Sequence, residues 1–203
     1  MLLEYYLVRT LQKLLMINLK SIKINILFLI ILILEKGATL SSGVGKAPGF
    51  EPLQNGLEKI RELLEKCLER KQKKLRPIDA YDIIMHSSDA VLSGGVRRSA
   101  SLALFSADDD EMAKAKTGNW YVDNPQRARS NNSALLIKDD TTYEQFKVLM
   151  ESVKEFGEPG FIWSDSTEMT FNPCVEVGMW PVDEKTGKPG WQGCNLSTIK
   201  DRK

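Results

Sequence analysis

The chain has 203 residues, a formal net charge of +1 and three cysteines. That length bounds it to one sizeable core or two smaller ones. The balanced charge speaks against a nucleic-acid surface or a charged tail, and so few cysteines exclude a disulfide framework; free thiols in a reducing cytoplasm fit better.

Residues 1–34 form the least typical part of the chain. The first 20 positions predict an amphipathic helix, because Leu7, Leu11, Leu14 and Leu15 share one face. The apolar run Ile26–Leu34 is shorter than the roughly 20 residues a membrane-spanning helix needs. Glu35 and Lys36 follow it, where a signal peptide would carry small residues. The run reads as a buried strand, with a membrane or targeting role as the alternative.

The stretch GATLSSGVGKAPGFEPL, residues 37–53, predicts an irregular loop, either a solvated connector or the lining of a polar ligand site. It is not a phosphate-binding loop of the G-x-x-x-x-G-K-S/T kind, because Ala47 follows Gly45-Lys46. A helix is predicted over 57–74, with Leu57, Ile60, Leu63, Leu64, Cys67 and Leu68 on its apolar stripe. Cys67 is therefore expected as a small buried hydrophobe. Pro77 opens a second helix with Ile78, Tyr81, Ile84, Met85 and Val91 facing inward and Asp79 in the first turn. It carries His86, the only histidine, so no metal site built on a histidine cluster is expected.

Gly94 and Gly95 precede the paired arginines Arg97 and Arg98. Exposed N–H groups beside guanidinium forks suit a phosphate or a nucleobase edge, with a solvated connector as the alternative. SLALF alternates like a strand, and the acidic run after it caps a helix. NPQRARSNNSALLI reads as a polar loop entering a buried strand at Ala134–Ile137. The glycosylation-type triplets at Asn131 and Asn195 are taken as chance matches. Thr141 and Glu144 form a capping box for a helix over Tyr143–Phe156, and GEPGFIW returns to a strand.

The chemistry concentrates in TFNPCVEVGMW, residues 170–180. Asn172 precedes proline and is pushed toward extended geometry. In an extended segment Asn172, Cys174 and Glu176 would share one side. A carboxylate beside a thiol raises the thiol pKa, which is poor design for a hydrolytic thiolate. It suits a thiol that donates a neutral hydrogen atom or reacts as a radical, with the carboxylate as base.

NPCVE, GCNLS and GGVRRSA together resemble the large catalytic subunit of ribonucleotide reductases. KAPGFEPL, LRPIDAYDIIMHSSDAVLSGGVRRSA, KTGNWYVDNPQRARSNNSALL and GWQGCNLS are similar to its adenosylcobalamin-dependent class. The resemblance covers about residues 35–199, leaving 1–34 as an unassigned segment before a domain at 35–203. It implies an α/β fold, part of a ten-stranded barrel with Cys174 on a finger loop. It implies that Cys174 becomes the thiyl radical that removes the ribose 3′ hydrogen. Glu176 then takes the 3′-hydroxyl proton, Asn172 binds the ribose hydroxyls, and Cys194 is one member of the redox pair that reduces the 2′ carbon. Gly94, Gly95 and Arg97 match the loop linking effector and substrate base, and Ser42 and Gly43 match a substrate-lining glycine loop. Also implied are adenosylcobalamin, a ribonucleoside di- or triphosphate, a nucleotide effector and an external thiol reductant such as thioredoxin.

Two departures accompany the resemblance. The family's partner redox cysteine lies before the glycine loop, where this chain has none, and Cys67 does not match it. The family continues beyond GCNLS with further barrel strands. The chain is thus expected to be an internal piece of a reductase that works with complementary segments. The alternatives are an inactive nucleotide-binding or structural remnant and an unrelated thiol/disulfide redox protein.

Overall fold

The computed structural model describes residues 36–39, 46–91, 100–180, 182–188 and 190. The predicted elements within 1–34 lie outside the described residues. The chain divides into two compact units, Met1–Ser99 and Ala100–Lys203.

The described residues of the first unit form two helices, α1 (Glu51–Glu69) and α2 (Pro77–Val91). Helix α1 starts six positions before the predicted onset. Pro52 in its first turn lacks only an N–H that would be unpaired there, and Glu51 meets the positive end of the helix dipole. It also ends five positions early. Lys71 turns left-handed (φ 56°), and Gln72 N–H donates to the Cys67 carbonyl, closing the C-terminus. Of the predicted stripe, Ile60 and Cys67 are buried, whereas Leu68 is exposed. On α2, Ile78, Tyr81, Ile83 and Met85 are buried. Ile83 takes the core position expected for Ile84, which is half-buried.

The helices are joined by a polar knot around Asp79, a buried carboxylate. It accepts hydrogen bonds from Arg70 Nη2 (3.1 Å), Gln72 Nε2 (3.2 Å), the Arg76 main-chain N–H (3.2 Å) and Arg76 Nε and Nη2 (2.9 Å each). Burial pushes its pKa up, but the bonds from Arg76 and Gln72 outweigh burial and hold it well below the usual carboxylate range.

The second unit contains a three-stranded, all-parallel sheet in the order β1-β2-β3: β1 (Ser101–Ser106), β2 (Ser130–Ile137) and β3 (Gly160–Ser164). Parallel neighbours need crossover connections. Between β1 and β2 run the short helices α3 (Asp110–Ala113) and α4 (Trp120–Asp123) and a 3-10 turn, Pro125–Arg129. Between β2 and β3 runs α5 (Tyr143–Phe156). The acidic run caps α3 as expected, with the Asp109 carboxylate accepting from Met112 N–H at 3.0 Å. The capping box of α5 is Thr142 with Gln145, one position past the expected pair. Thr142 holds the extended N-cap geometry, and the two residues exchange bonds of 3.3 and 2.8 Å.

Register sets the two faces of the sheet. Phe105, Ala134 and Phe161 stand side by side on one face, with Leu136 and Trp163 beyond them. Phe146 of α5 meets Phe161 and Trp163 at ring distances of 5.2 and 5.6 Å, so α5 packs against β3 on that face, leaving both β3 side chains partly exposed. Ala134 and Leu136 are fully buried. The other face carries Leu102, Leu104, Asn131, Leu135, Ile137 and Ile162.

Strand β2 begins four residues before the predicted Ala134. Its polar opening Ser130-Asn131-Asn132-Ser133 is strand rather than loop, and Ser130, Asn132 and Ser133 are buried. Buried polar groups need hydrogen bonds, and this end of the sheet supplies several of them. Ser130 Oγ donates to Asn132 Oδ1 at 2.7 Å. The buried Lys116 ammonium donates to the Ser130 carbonyl and, at 3.2 Å, to Glu158 Oε1, while lying 5.5 Å from the Trp120 ring centre.

Candidate active site

After β3 the chain makes a small antiparallel hairpin, β4 (Thr170–Phe171) and β5 (Gly178–Met179). The residues between them are the chemically distinctive ones. Asn172 to Val175 form a β-turn closed by Val175 N–H donating to the Asn172 carbonyl at 2.9 Å. Proline at the second turn position fixes its own φ there. Asn172 N–H donates to the Val177 carbonyl at 3.2 Å, and Val177 N–H donates to Asn172 Oδ1 at 2.9 Å. Asn172 is buried and works as the loop's internal brace, while Cys174 and Glu176 are exposed.

This corrects the extended reading of the segment, which put Asn172, Cys174 and Glu176 on one face. Period-2 alternation fails because the chain reverses: Pro173 supports the turn, and Val175 adopts a left-handed conformation with φ 71°. A β-branched residue there is a steric outlier, costing about 1–3 kcal/mol. The surrounding hydrogen bonds hold it in place. The turn presents the thiol and the carboxylate outward on either side of Val175.

An anchor reaches this turn from far away in the chain. Asn131 Nδ2, on β2, donates to the Pro173 carbonyl at 2.7 Å. The sequence drew attention to Asn131 as part of a chance glycosylation-type triplet and of a family-like stretch, with no role of its own. No local pattern could have found its role, since its partner lies 42 positions on.

Among the remaining predicted site residues, Ser42, Gly43, Gly94, Gly95, Arg97 and Cys194 lie outside the described residues. The base of the glycine-rich loop is described. Gly37 N–H donates to the Ala47 carbonyl at 2.9 Å and Ala47 N–H to the Ala38 carbonyl at 2.8 Å, with an antiparallel bridge between Thr39 and Lys46. Cys67 is buried, with Arg70 Nη2 at 3.3 Å from its sulfur. His86 is half-buried on α2, and burial pushes its imidazole below the usual range against the pull of Asp82 and Asp89. Among the described residues no group of three or more His, Cys, Asp or Glu side chains could hold a metal ion, and no helix is long and apolar enough to cross a membrane.

Three relatives share this arrangement of sequence. The "probable adenosylcobalamin-dependent ribonucleoside-triphosphate reductase" of Dictyostelium discoideum is 30% identical over 163 residues, covering 70% of this chain and 20% of the relative. The adenosylcobalamin-dependent ribonucleoside-triphosphate reductase of Levilactobacillus brevis is 31% identical over 182 residues, covering 81% and 22%. That of Lactobacillus delbrueckii subsp. bulgaricus is 33% identical over 126 residues, covering 62% and 16%. This chain is homologous to part of the adenosylcobalamin-dependent ribonucleotide reductases. The chain spans about a fifth of the length of these curated relatives. No family model and no solved structure matches it. In fold, the described residues are a mixed α/β structure with a parallel three-stranded sheet.

Proposed function

We propose that this chain carries the hydrogen-abstracting loop of a ribonucleotide reductase, with Cys174 as the thiyl-radical residue and Glu176 as its base. The observation that supports this most is the turn itself. In a segment homologous to the cobalamin-dependent reductases, it exposes a thiol and a carboxylate two positions apart on a braced, conformationally strained loop. Exposure suits a thiol that must first lose its hydrogen atom to a radical source. Adenosylcobalamin, when bound, supplies that radical. Cys174 Sγ then takes the 3′ hydrogen of a ribose, re-forming the S–H bond and leaving a carbon radical. Glu176 accepts the 3′-hydroxyl proton, while the buried Asn172 braces the loop instead of binding the ribose hydroxyls. Reduction at the 2′ carbon takes two electrons from a thiol pair of which Cys194 is one member, and an external thiol reductant such as thioredoxin restores that pair.

In this proposal residues 35–203 belong to a ten-stranded α/β barrel completed by complementary segments, and the Cys174 turn is its finger loop. A closed barrel would exclude water and oxygen from the radical. The substrate is a ribonucleoside di- or triphosphate. Gly94, Gly95 and Arg97 relay the effector's identity to the substrate base, and Ser42 and Gly43 line the sugar.

The test is ribonucleotide reduction with adenosylcobalamin and dithiothreitol, by the chain alone and mixed with a chain supplying the missing segments. Turnover in the mixture that vanishes in Cys174→Ser supports the proposal. Nucleotide binding without turnover in any mixture would make the chain a non-catalytic remnant. Disulfide exchange without cobalamin would make it a redox protein of another kind.

A further inference from the structure

The loop bearing Cys174 is held from two directions, and one of them is unaccounted for by hairpin geometry. The Pro173 carbonyl belongs to the peptide group that joins Pro173 to Cys174. Asn131 Nδ2 donates to that oxygen at 2.7 Å. The following peptide group, joining Cys174 to Val175, is held through Val175 N–H, which donates to the Asn172 carbonyl at 2.9 Å. The two peptide planes flanking Cys174 are thus each tied to an asparagine. Because the proline ring already fixes φ at 173, holding the first plane sets the direction in which the cysteine leaves it.

The two ties differ in kind. Asn172 lies within the loop and moves with it. Asn131 stands on β2, the central strand, which is bonded to a parallel neighbour on either side. A side chain on such a strand is a fixed reference for a loop that carries a strained residue, Val175 at φ 71°. Asn131 is itself exposed, and its neighbours Ser130 and Asn132 are buried. Its position in the strand is therefore set by the sheet, while its carboxamide is turned to the loop.

We infer that Asn131 is a positioning residue for Cys174: it locks the Pro173–Cys174 peptide plane against the central strand and so fixes where the sulfur points. The inference rests on the reading of Cys174 as the reacting thiol, but its structural half can be tested without turnover.

The experiment uses the full chain with Asn131→Asp, which keeps the shape and removes the donor, and Asn131→Gln, which keeps the donor. Amide hydrogen exchange is followed residue by residue. In Asn131→Asp, exchange at Val175 and Val177, whose N–H groups are bonded within the loop, is expected to speed by about five- to tenfold, the worth of one hydrogen bond, with exchange at Leu136 unchanged. Asn131→Gln is expected to recover part of the protection. Loop exchange within about twofold of the parent in Asn131→Asp, with the sheet intact, would overturn the inference. So would loss of protection at Leu136 in both variants, because Asn131 would then serve the sheet as a whole. In the complemented reductase mixture, kcat should fall about tenfold in Asn131→Asp with KM little changed, since a misdirected sulfur affects the chemical step rather than binding. A raised KM with kcat retained would also overturn it. If no mixture turns over at all, the reductase reading fails, and the exchange result still decides whether Asn131 fixes the loop.

Discussion

Replacing Asp79 by Asn tests whether the α1–α2 unit depends on its buried carboxylate. The substitution keeps the shape and puts an NH2 group where donors already crowd. The carboxylate accepts from Arg70, from Gln72, from the Arg76 main chain and from the Arg76 guanidinium, at 2.9–3.2 Å. Hydrogen bonds to a charged group contribute about 1.5–3 kcal/mol each in favourable cases. That figure must be discounted here, because the Arg70 and Arg76 side chains are 45% and 37% exposed and water re-solvates them once the carboxylate is neutral. The expected loss is about 2 kcal/mol, measured as the drop in urea stability by circular dichroism and located by amide exchange at Ile83 and Met85. Acid supplies the second half of the test. Folding lowers the Asp79 pKa below its unfolded value of about 3.9, so its contribution is complete above about pH 5 and is lost as the pH falls toward the folded value. Parent and variant should therefore converge in acid. A difference below about 0.5 kcal/mol at pH 7, or one that does not shrink on acidification, would refute the reasoning.

Two further substitutions probe the second unit. Lys116→Met strips the buried Ser130 carbonyl and Glu158 of their shared donor, and should cost about 2–3 kcal/mol, read from the urea midpoint and from exchange at the start of β2. Val175→Gly relieves a left-handed valine, worth about 1–2 kcal/mol, against a glycine entropy cost of about 0.5–1 kcal/mol. Thermal unfolding should then show stability kept or slightly raised, whereas a loss beyond about 1 kcal/mol would be incompatible with φ 71° at that position.

Much of the local structure could be read from the chain because its causes are local. Pro77 starts α2, the stripe through Ile60 and Cys67 marks one face of α1, and the bounds of α5 lie between a capping threonine and the GEPG turn, where Gly157 takes φ 72°. The errors arose where two local signals competed. Thr141 and Thr142 each stand three positions before a residue able to complete a capping box, and only the backbone at Thr142 decides between them. Lys71 ends α1 in a left-handed conformation usually reserved for glycine, so no sequence signal announced the stop.

The likeness to the adenosylcobalamin-dependent reductases, and the choice of Cys174 and Glu176 as candidates, were legible in the sequence because a motif is a matter of residue types and spacing along one chain. Only the tertiary structure decided how those residues are presented. SNNS is central strand instead of loop because Lys116, fourteen positions earlier, comes to rest on the Ser130 carbonyl and supports its polarity inside the unit. Cys174 lies in a turn and Glu176 just past it, with Asn172 buried as the brace, because Pro173 at the second turn position, the Asn131 anchor and the hairpin's own bonds reverse the chain there. Such contacts join residues whose separation along the chain carries no signal, and they exist only once the sheet has formed.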